Sequence, residues 1–469
     1  MVFSSLIFLF GFLPLTLLCY YLVPRRWRNA VLFFFSLLFY GWGEPIYVIL
    51  MVISITTAYF FGFWIEKYRR VAPRKAKTAM ILSVSVNLSF LFFFKYYNFF
   101  AENLSLLPLL SLPVIEGLRL PIGISFYTFQ IISYTIDLYR HDCDLQANYV
   151  SFGTYVTLFP QLIAGPIVRY RDVDAQLAAR RETTEGFAAG VERFCCGLAK
   201  KVLVGDMLAA GSAYFRGMAA FEVTALGAWM TVILYTLHLY YDFSGYSDMA
   251  IGLGKMLGFD FPENFNYPYV SQSITEFWRR WHISLSTWFR EYVYIPLGGN
   301  RRGHARQYFN LGVVWLLTGF WHGASWNFVL WGVYFLLILI AEKAFLLRFL
   351  QKIPAIFRHF YAMFLVTVGF LIFSFSDAEQ GWNCFRALFG IGCAGLSSAT
   401  VTYQLLRLLP LLLIAAVGAT PLPRRLFGKL QARFTWAKAL SPLLCTSVLL
   451  LCTAYLVDST FSPFAYTQF

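Results

Sequence analysis

Charge is the scarcest ingredient of this sequence. Only 13% of its 469 residues are Asp, Glu, Lys or Arg, against about 25% in a typical soluble domain. Hydrophobic residues make up 59%, and mean hydropathy is +0.60. That balance excludes a water-soluble globular protein, a disordered chain and a disulfide-stapled secreted module. The eight cysteines show no CxxC or Cys/His spacing of the kind that holds zinc, so no metal is expected. The GxxxxGKS/T, GxSxG and HExxH motifs are absent, which removes an ATP-driven pump, a nucleophile-elbow hydrolase and a zinc protease. GLGKMLG at 252–258 has the wrong glycine spacing for a dinucleotide loop. Also missing are the alternating segments of about ten residues that build a transmembrane barrel and the inverted repeats of a secondary transporter.

What is present is a series of long apolar runs. FSSLIFLFGFLPLTLLCYYLV (3–23) has no basic stretch before it and Arg25, Arg26 and Arg28 after it. That is the reverse of a cleavable signal peptide, so the run reads as a retained span with its N-terminus outside. Spans follow at 30–42 and 46–64, divided at Gly43-Glu44-Pro45, and then the basic stretch Lys67–Lys77, expected in the cytoplasm. Residues 78–100 and 120–138 cross next. The run 149–168 is basic at both flanks and holds Pro160, Gly165 and Pro166, which predicts a re-entrant segment packed inside protein. Further spans are read at 222–243, 308–321, 324–342, 360–376, 400–418 and 439–457. The fold class is all-α: a polytopic integral membrane protein with roughly ten crossings plus re-entrant and interfacial helices. Residues 1–469 read as a single membrane-embedded domain. The net charge of +14, from 38 Lys+Arg against 24 Asp+Glu, is explained by basic cytoplasmic loops and not by nucleic-acid binding.

Two of the six histidines stand out. His322 lies 16 residues after Arg306; a helix rising ~1.5 Å per residue places it about 24 Å from that cytoplasmic charge. Ionisable residues at such depth are rare and usually functional, and an imidazole can take and return a proton near neutral pH. A core histidine bonded to a carbonyl is the competing reading. His282 shares an amphipathic stretch with Arg279, Arg280 and Arg290, which locally reads as an interfacial helix at the cytoplasmic face. His141, His304 and His359 read as solvated loop residues, and His238 as structural.

WRRWHISLSTWFREYVYIPLGGNRRG (278–303) and TGFWHGASWNFVLWG (318–332) resemble the signature of the membrane-bound O-acyltransferase family, in its bacterial alginate O-acetyltransferase branch. LPIGISFYTFQIISYTIDLYR (120–140), FPQLIAGPIVRYRD (159–172) and YYDFSGYSDMAIGLGKMLGFDFPENFNYPY (240–269) are similar to the same branch. The resemblance covers residues 1–345; residues 346–469 match only as additional transmembrane helices. It implies a helical fold around a catalytic tunnel, with acetyl-CoA as acyl donor entering from the cytoplasm. The family's intramembrane histidine maps onto His322, and its second site position, about forty residues upstream, onto His282. The donor's phosphates would rest against basic residues such as Arg279, Arg280, Arg301 and Arg302, although positive-inside charge explains each equally well. The resemblance further implies residence in the bacterial inner membrane. It also implies a periplasmic SGNH-hydrolase-like partner that passes acetyl to an exopolysaccharide, most readily alginate. D-alanyl transfer to teichoic acid and a non-catalytic polysaccharide exporter or flippase are the alternatives.

Overall fold

A computed structural model describes residues 1–105, 112–219, 222–434 and 436–458. Among them no residue forms a strand, as a chain without enough polar side chains to satisfy its backbone in lipid requires. The chain divides into two compact units: residues 1–194 with 246–262, and residues 195–245 with the described residues from 263 onward.

The first unit contains α1 (Leu13–Leu22), α2 (Arg28–Gly43), α3 (Tyr47–Tyr68), α4 (Pro73–Leu104), α5 (Ile124–Arg140), α6 (Tyr149–Thr157), α7 (Phe159–Leu162), α8 (Tyr170–Ala179) and most of α9 (Thr184–Ala199). The helices α3, α4 and α5 pack on one another. Fourteen of the seventeen residues of α5 are buried, so this is an interior helix whose Ser, Thr and Gln side chains face protein. The predicted re-entrant stretch is indeed a broken, interior segment. Helix α6 stops at Thr157, α7 lasts one turn, and every residue from 152 to 168 is buried. Its exposed backbone groups find side chains: Phe159 N donates to Ser36 Oγ at 3.1 Å, and Gln161 Nε2 donates to the Tyr155 carbonyl at 2.7 Å.

The second unit is built from α10 (Asp206–Arg216), α11 (Ala225–Met256, up to residue 245), α12 (Ile274–Arg280), α13 (Ile283–Phe289), α14 (His304–His322), α15 (Trp326–Ala341), α16 (Leu347–Leu350), α17 (Ala355–Ser374), α18 (Ala378–Leu388), α19 (Ala399–Gly418), α20 (Leu422–Arg433) and α21 (Trp436–Asp458). Six helical stretches of the chain, at 47–68, 73–104, 326–350, 355–374, 399–418 and 439–458, are long and apolar enough to cross a membrane, and Phe8–Leu22 is a shorter apolar helix. The runs at 120–138, 222–243 and 308–321 are helical as read, but they are shorter or more polar than those six. Four segments wind as π-helix, at Phe8–Phe12, Lys200–Gly205, Arg290–Tyr294 and Glu342–Leu346. Such wide turns are uncommon and shift backbone groups out of the ordinary ladder. At the second, the Gly205 carbonyl lies 3.0 Å from His238 Nδ1, which gives that histidine the structural place expected of it. His359 differs from its reading: it sits within α17, half-buried, with Nδ1 3.2 Å from the Ser271 carbonyl. The basic residues around it are charged, but the helix continues through them.

The pair α14–α15 sets the position of His322. A Cβ on Gly319 would stand 2.5 Å from the Phe328 carbonyl oxygen, and one on Gly332 would stand 2.6 Å from that of Trp315. Only glycine lets the two backbones approach so closely, the small-residue contact by which membrane helices gain van der Waals packing.

Candidate active site

His322 is the last residue of α14 and is buried. Its ring is enclosed edge-to-face by Trp321 (centroids 5.1 Å apart), Trp331 of α15 (4.9 Å) and Phe373 of α17 (5.2 Å). Helix α14 is unbroken from His304, so the rise reckoned from Arg306 applies. Phe373 comes from the region that resembles the family only as hydrophobic helices, and it nevertheless forms one wall.

His282 is also buried, with 1% of its surface exposed, and this corrects the interfacial placement read from its arginine neighbours. The amphipathic stretch is not one helix. It breaks between α12 and α13, where His282 adopts the left-handed conformation (φ 44°, ψ 54°). The arginines stay on the short helices while the break turns the imidazole inward. Its ring packs on Phe243 (4.8 Å) and on Trp321 (5.7 Å). One indole therefore touches both imidazoles, and the structure brings together the two histidines the sequence singled out.

Asn264 holds His282 in place. Its Oδ1 lies 3.1 Å from His282 Nδ1, 2.9 Å from Ser284 Oγ and 3.3 Å from Ser284 N. A backbone N–H can only donate, so the shared atom is the amide oxygen and His282 Nδ1 carries a proton. In the neutral ring Nε2 then holds the lone pair. Burial pushes the His282 imidazole down from its ordinary 6.5 to about 3, which keeps it neutral at physiological pH. The Asn264 loop is itself latched to the break: Ile283 N donates to the Asn264 carbonyl at 3.0 Å, and Asn266 N to the Arg280 carbonyl at 2.9 Å.

A buried carboxylate fixes the other end of α12. Glu342, 1% exposed, accepts from Ile274 N and Thr275 N (both 2.7 Å), Thr275 Oγ1 (2.6 Å) and Tyr361 Oη (3.2 Å). It meets donors that the first turn of a helix leaves open. Trp278, on the same helix, packs on Trp315, Trp331 and Phe335 at 4.9–5.4 Å. The indole N–H groups of Trp278 and Trp331 are buried without a hydrogen-bond acceptor, which is costly unless something else uses them.

The four arginines read as donor-binding candidates occupy separate places. Arg280 is half-buried and pairs with Glu276 (2.9 Å). Arg279, Arg301 and Arg302 are exposed, the last two in the turn before α14. Sequence reasoning passed over Asn264, although it lies within the FPENFNYPY stretch, and passed over Glu342, which reads as the charged end of a span. Among the described residues no three His, Cys, Asp or Glu side chains converge on a metal-sized site.

The profile of the MBOAT, membrane-bound O-acyltransferase family, matches residues 145–377, a segment that includes every site residue named above. The chain is 41% identical to the probable alginate O-acetylase AlgI of Azotobacter vinelandii, with the whole of both chains covered. It is 33% identical to the peptidoglycan O-acetyltransferase of Helicobacter pylori over 84% of this chain and 81% of that protein. Similarity to the teichoic acid D-alanyltransferase of Bacillus subtilis is 28% over 48% of this chain and 59% of that one. With its apolar helices, its paired histidines and a relative matched from end to end, this chain belongs to the membrane-bound O-acyltransferase family and is a multi-pass membrane acyltransferase.

Proposed function

We propose that this protein takes acetyl from cytoplasmic acetyl-CoA and passes it across the bacterial inner membrane for O-acetylation of an exopolysaccharide, alginate foremost. The observation that carries the reading is the buried His322–Trp321–His282 cluster in a chain 41% identical, end to end, to a protein named as an alginate O-acetylase. In the direct scheme His322 removes the proton from an acceptor hydroxyl, and the oxygen attacks the thioester carbonyl carbon. The C–S bond breaks, and the CoA sulfur leaves with the proton returned by the imidazolium. In the two-step scheme the imidazole nitrogen attacks first and carries the acetyl before the acceptor removes it. His282 orients the reacting group through its neutral ring. The Trp331 N–H, beside His322 and without an acceptor in the protein, supplies a donor for the negative charge that develops on the carbonyl oxygen. An SGNH-hydrolase-like periplasmic partner receives the acetyl and delivers it to the polysaccharide.

The test uses purified protein in liposomes with radiolabelled acetyl-CoA, with and without partner and polysaccharide. CoA release and label transfer should vanish in His322→Ala and fall in His282→Ala at matched folding. Full activity in His322→Ala would refute the scheme and favour an exporter. Peptidoglycan supplied as acceptor in place of alginate distinguishes the two kinds of O-acetylation named among the relatives.

A further inference from the structure

We propose that a basic cleft formed by α20 and the loop around Asn266 binds a phosphate-bearing ligand. On the acyl-donor reading above, the nucleotide phosphates of CoA are the natural occupant. The cleft has a volume of about 530 Å³ and is lined by Asn266, Tyr267, Arg280, Arg424, Arg425 and Gly428, among others. Three observations point to its chemistry.

The first is unspent charge. Arg280 is neutralised by Glu276, and its Nη1 donates to the Asn266 carbonyl at 3.1 Å, so it is a fixed wall. Arg424 and Arg425 are exposed, and no carboxylate pairs with either among the described residues. Helix α20 contains no acidic residue, and Lys429 and Arg433 add to its charge. The second is geometry. Adjacent helical residues project about 100° apart, yet Arg424 and Arg425 both line one cleft. Two planar guanidinium groups approaching from different directions suit a ligand with several anionic oxygens, such as a diphosphate, better than a single carboxylate. The third is continuity with the site. Arg280 precedes His282 by two residues, at most about 7 Å along the chain, and the Asn266 strand that forms the wall is the one that holds His282 through Asn264. A long ligand anchored here by its phosphates leaves its other end free to reach the imidazole. Arg424 and Arg425 lie outside the residues 145–377 that match the family, so nothing in that match assigns them a role.

The same phosphate chemistry is offered by an anionic lipid headgroup of the cytoplasmic leaflet, and the experiment separates the two sources. Full-length protein in phosphatidylcholine nanodiscs is titrated with CoA by calorimetry, and phosphatidylglycerol retained by the protein is counted by native mass spectrometry. The variants are R424Q/R425Q, the charge-preserving R424K/R425K, and R301Q/R302Q for comparison. The double glutamine variant should weaken CoA binding at least about tenfold and raise KM for acetyl-CoA with kcat unchanged. The lysine variant should retain most of the affinity, and R301Q/R302Q should change little. Unchanged CoA affinity with a tenfold drop in retained phosphatidylglycerol upholds the phosphate site and assigns it to lipid. Wild-type affinity for both ligands in R424Q/R425Q overturns the proposal. If wild-type protein neither binds CoA nor turns it over, the acyl-donor reading has failed, and the phosphatidylglycerol count still decides this cleft.

Discussion

Replacing Asn264 by Ala removes one oxygen atom that serves three donors. The Ser284 hydroxyl can rotate to another acceptor, but the His282 Nδ1–H and the Ser284 backbone N–H cannot. His282 and Ser284 are 1% and 6% exposed, so bulk water replaces the lost partner poorly. A buried donor left unmet costs about 1–3 kcal/mol, and two of them give about 2–5 kcal/mol. The left-handed backbone of His282 adds strain of about 1–2 kcal/mol that the Asn264 latch now offsets. Asn264→Ala should therefore lower the thermal midpoint of the detergent-purified protein and cut acetyl transfer, because the imidazole is no longer held against Trp321. Asn264→Asp separates orientation from charge. It keeps an acceptor oxygen in the same place, so Ser284 stays bonded, but it sets an anion beside His282 Nδ1 and raises the imidazole pKa. Its activity should acquire an acid limb near neutral pH that wild type lacks. Unfolding curves and pH–rate profiles of the two variants supply the measurement. A wild-type midpoint and wild-type turnover in Asn264→Ala would refute the claim that this amide positions the histidine.

Four further outcomes follow from the same geometry. His282 has a folded pKa of about 3 against 6.5 when exposed, so the unfolded chain binds the proton first. The stability it contributes is complete above about pH 6.5 and falls as the pH drops, by about 2 kcal/mol at pH 5; His282→Gln should flatten that slope in unfolding measured at pH 7.5 and pH 5. Gly332→Ala should cost about 1–3 kcal/mol by wedging α14 from α15 and should lower kcat. Gly312→Ala, whose Cβ would meet nothing nearer than 3.8 Å, should be neutral or slightly stabilising. Glu342→Ala should destabilise by about 3–5 kcal/mol because four donors lose their acceptor, with Glu342→Gln intermediate in midpoint and turnover. Trp331→Phe keeps the ring beside His322 but deletes the N–H. It should lower kcat by about 10²-fold if that donor meets the carbonyl oxygen, while leaving stability unchanged, and equal kcat values would remove Trp331 from the mechanism.

His322 was legible because its helix is an apolar run with basic residues at one end, so depth could be counted residue by residue. The buried segment at 149–168 was legible for a similar reason: identical charge at both flanks and prolines within leave few alternatives. The inward turn of His282 was not. WRRWHIS contains neither Gly nor Pro, and the left-handed residue is sustained by Asn264, eighteen positions away, a long-range contact that local pattern does not encode. Glu342 was obscured because a carboxylate at the end of an apolar run ordinarily marks the water boundary; here a wide helical turn carries it inward. Arg424 and Arg425 read as generic cytoplasmic charge until α20 was seen to face the Asn266 loop. The interior helix α5 was read as a span, since hydropathy alone does not tell a lipid-facing helix from one enclosed by protein.

The wide turn at Glu342–Leu346 has a consequence for insertions and deletions. An i→i+5 turn accommodates one residue more than an α-helical turn, so removing a single residue there can restore an ordinary helix without unwinding it. Everything after the deletion would then keep its helicity but rotate by about 100°, whereas α15 before it, with Trp331 and Gly332, would be untouched. The turn is thus a register adjuster in the covalent chain. Length changes of one residue are tolerable at this point and disruptive within α14 or α15, and a scan of single-residue deletions through 326–350 would show a narrow window of survival centred on it.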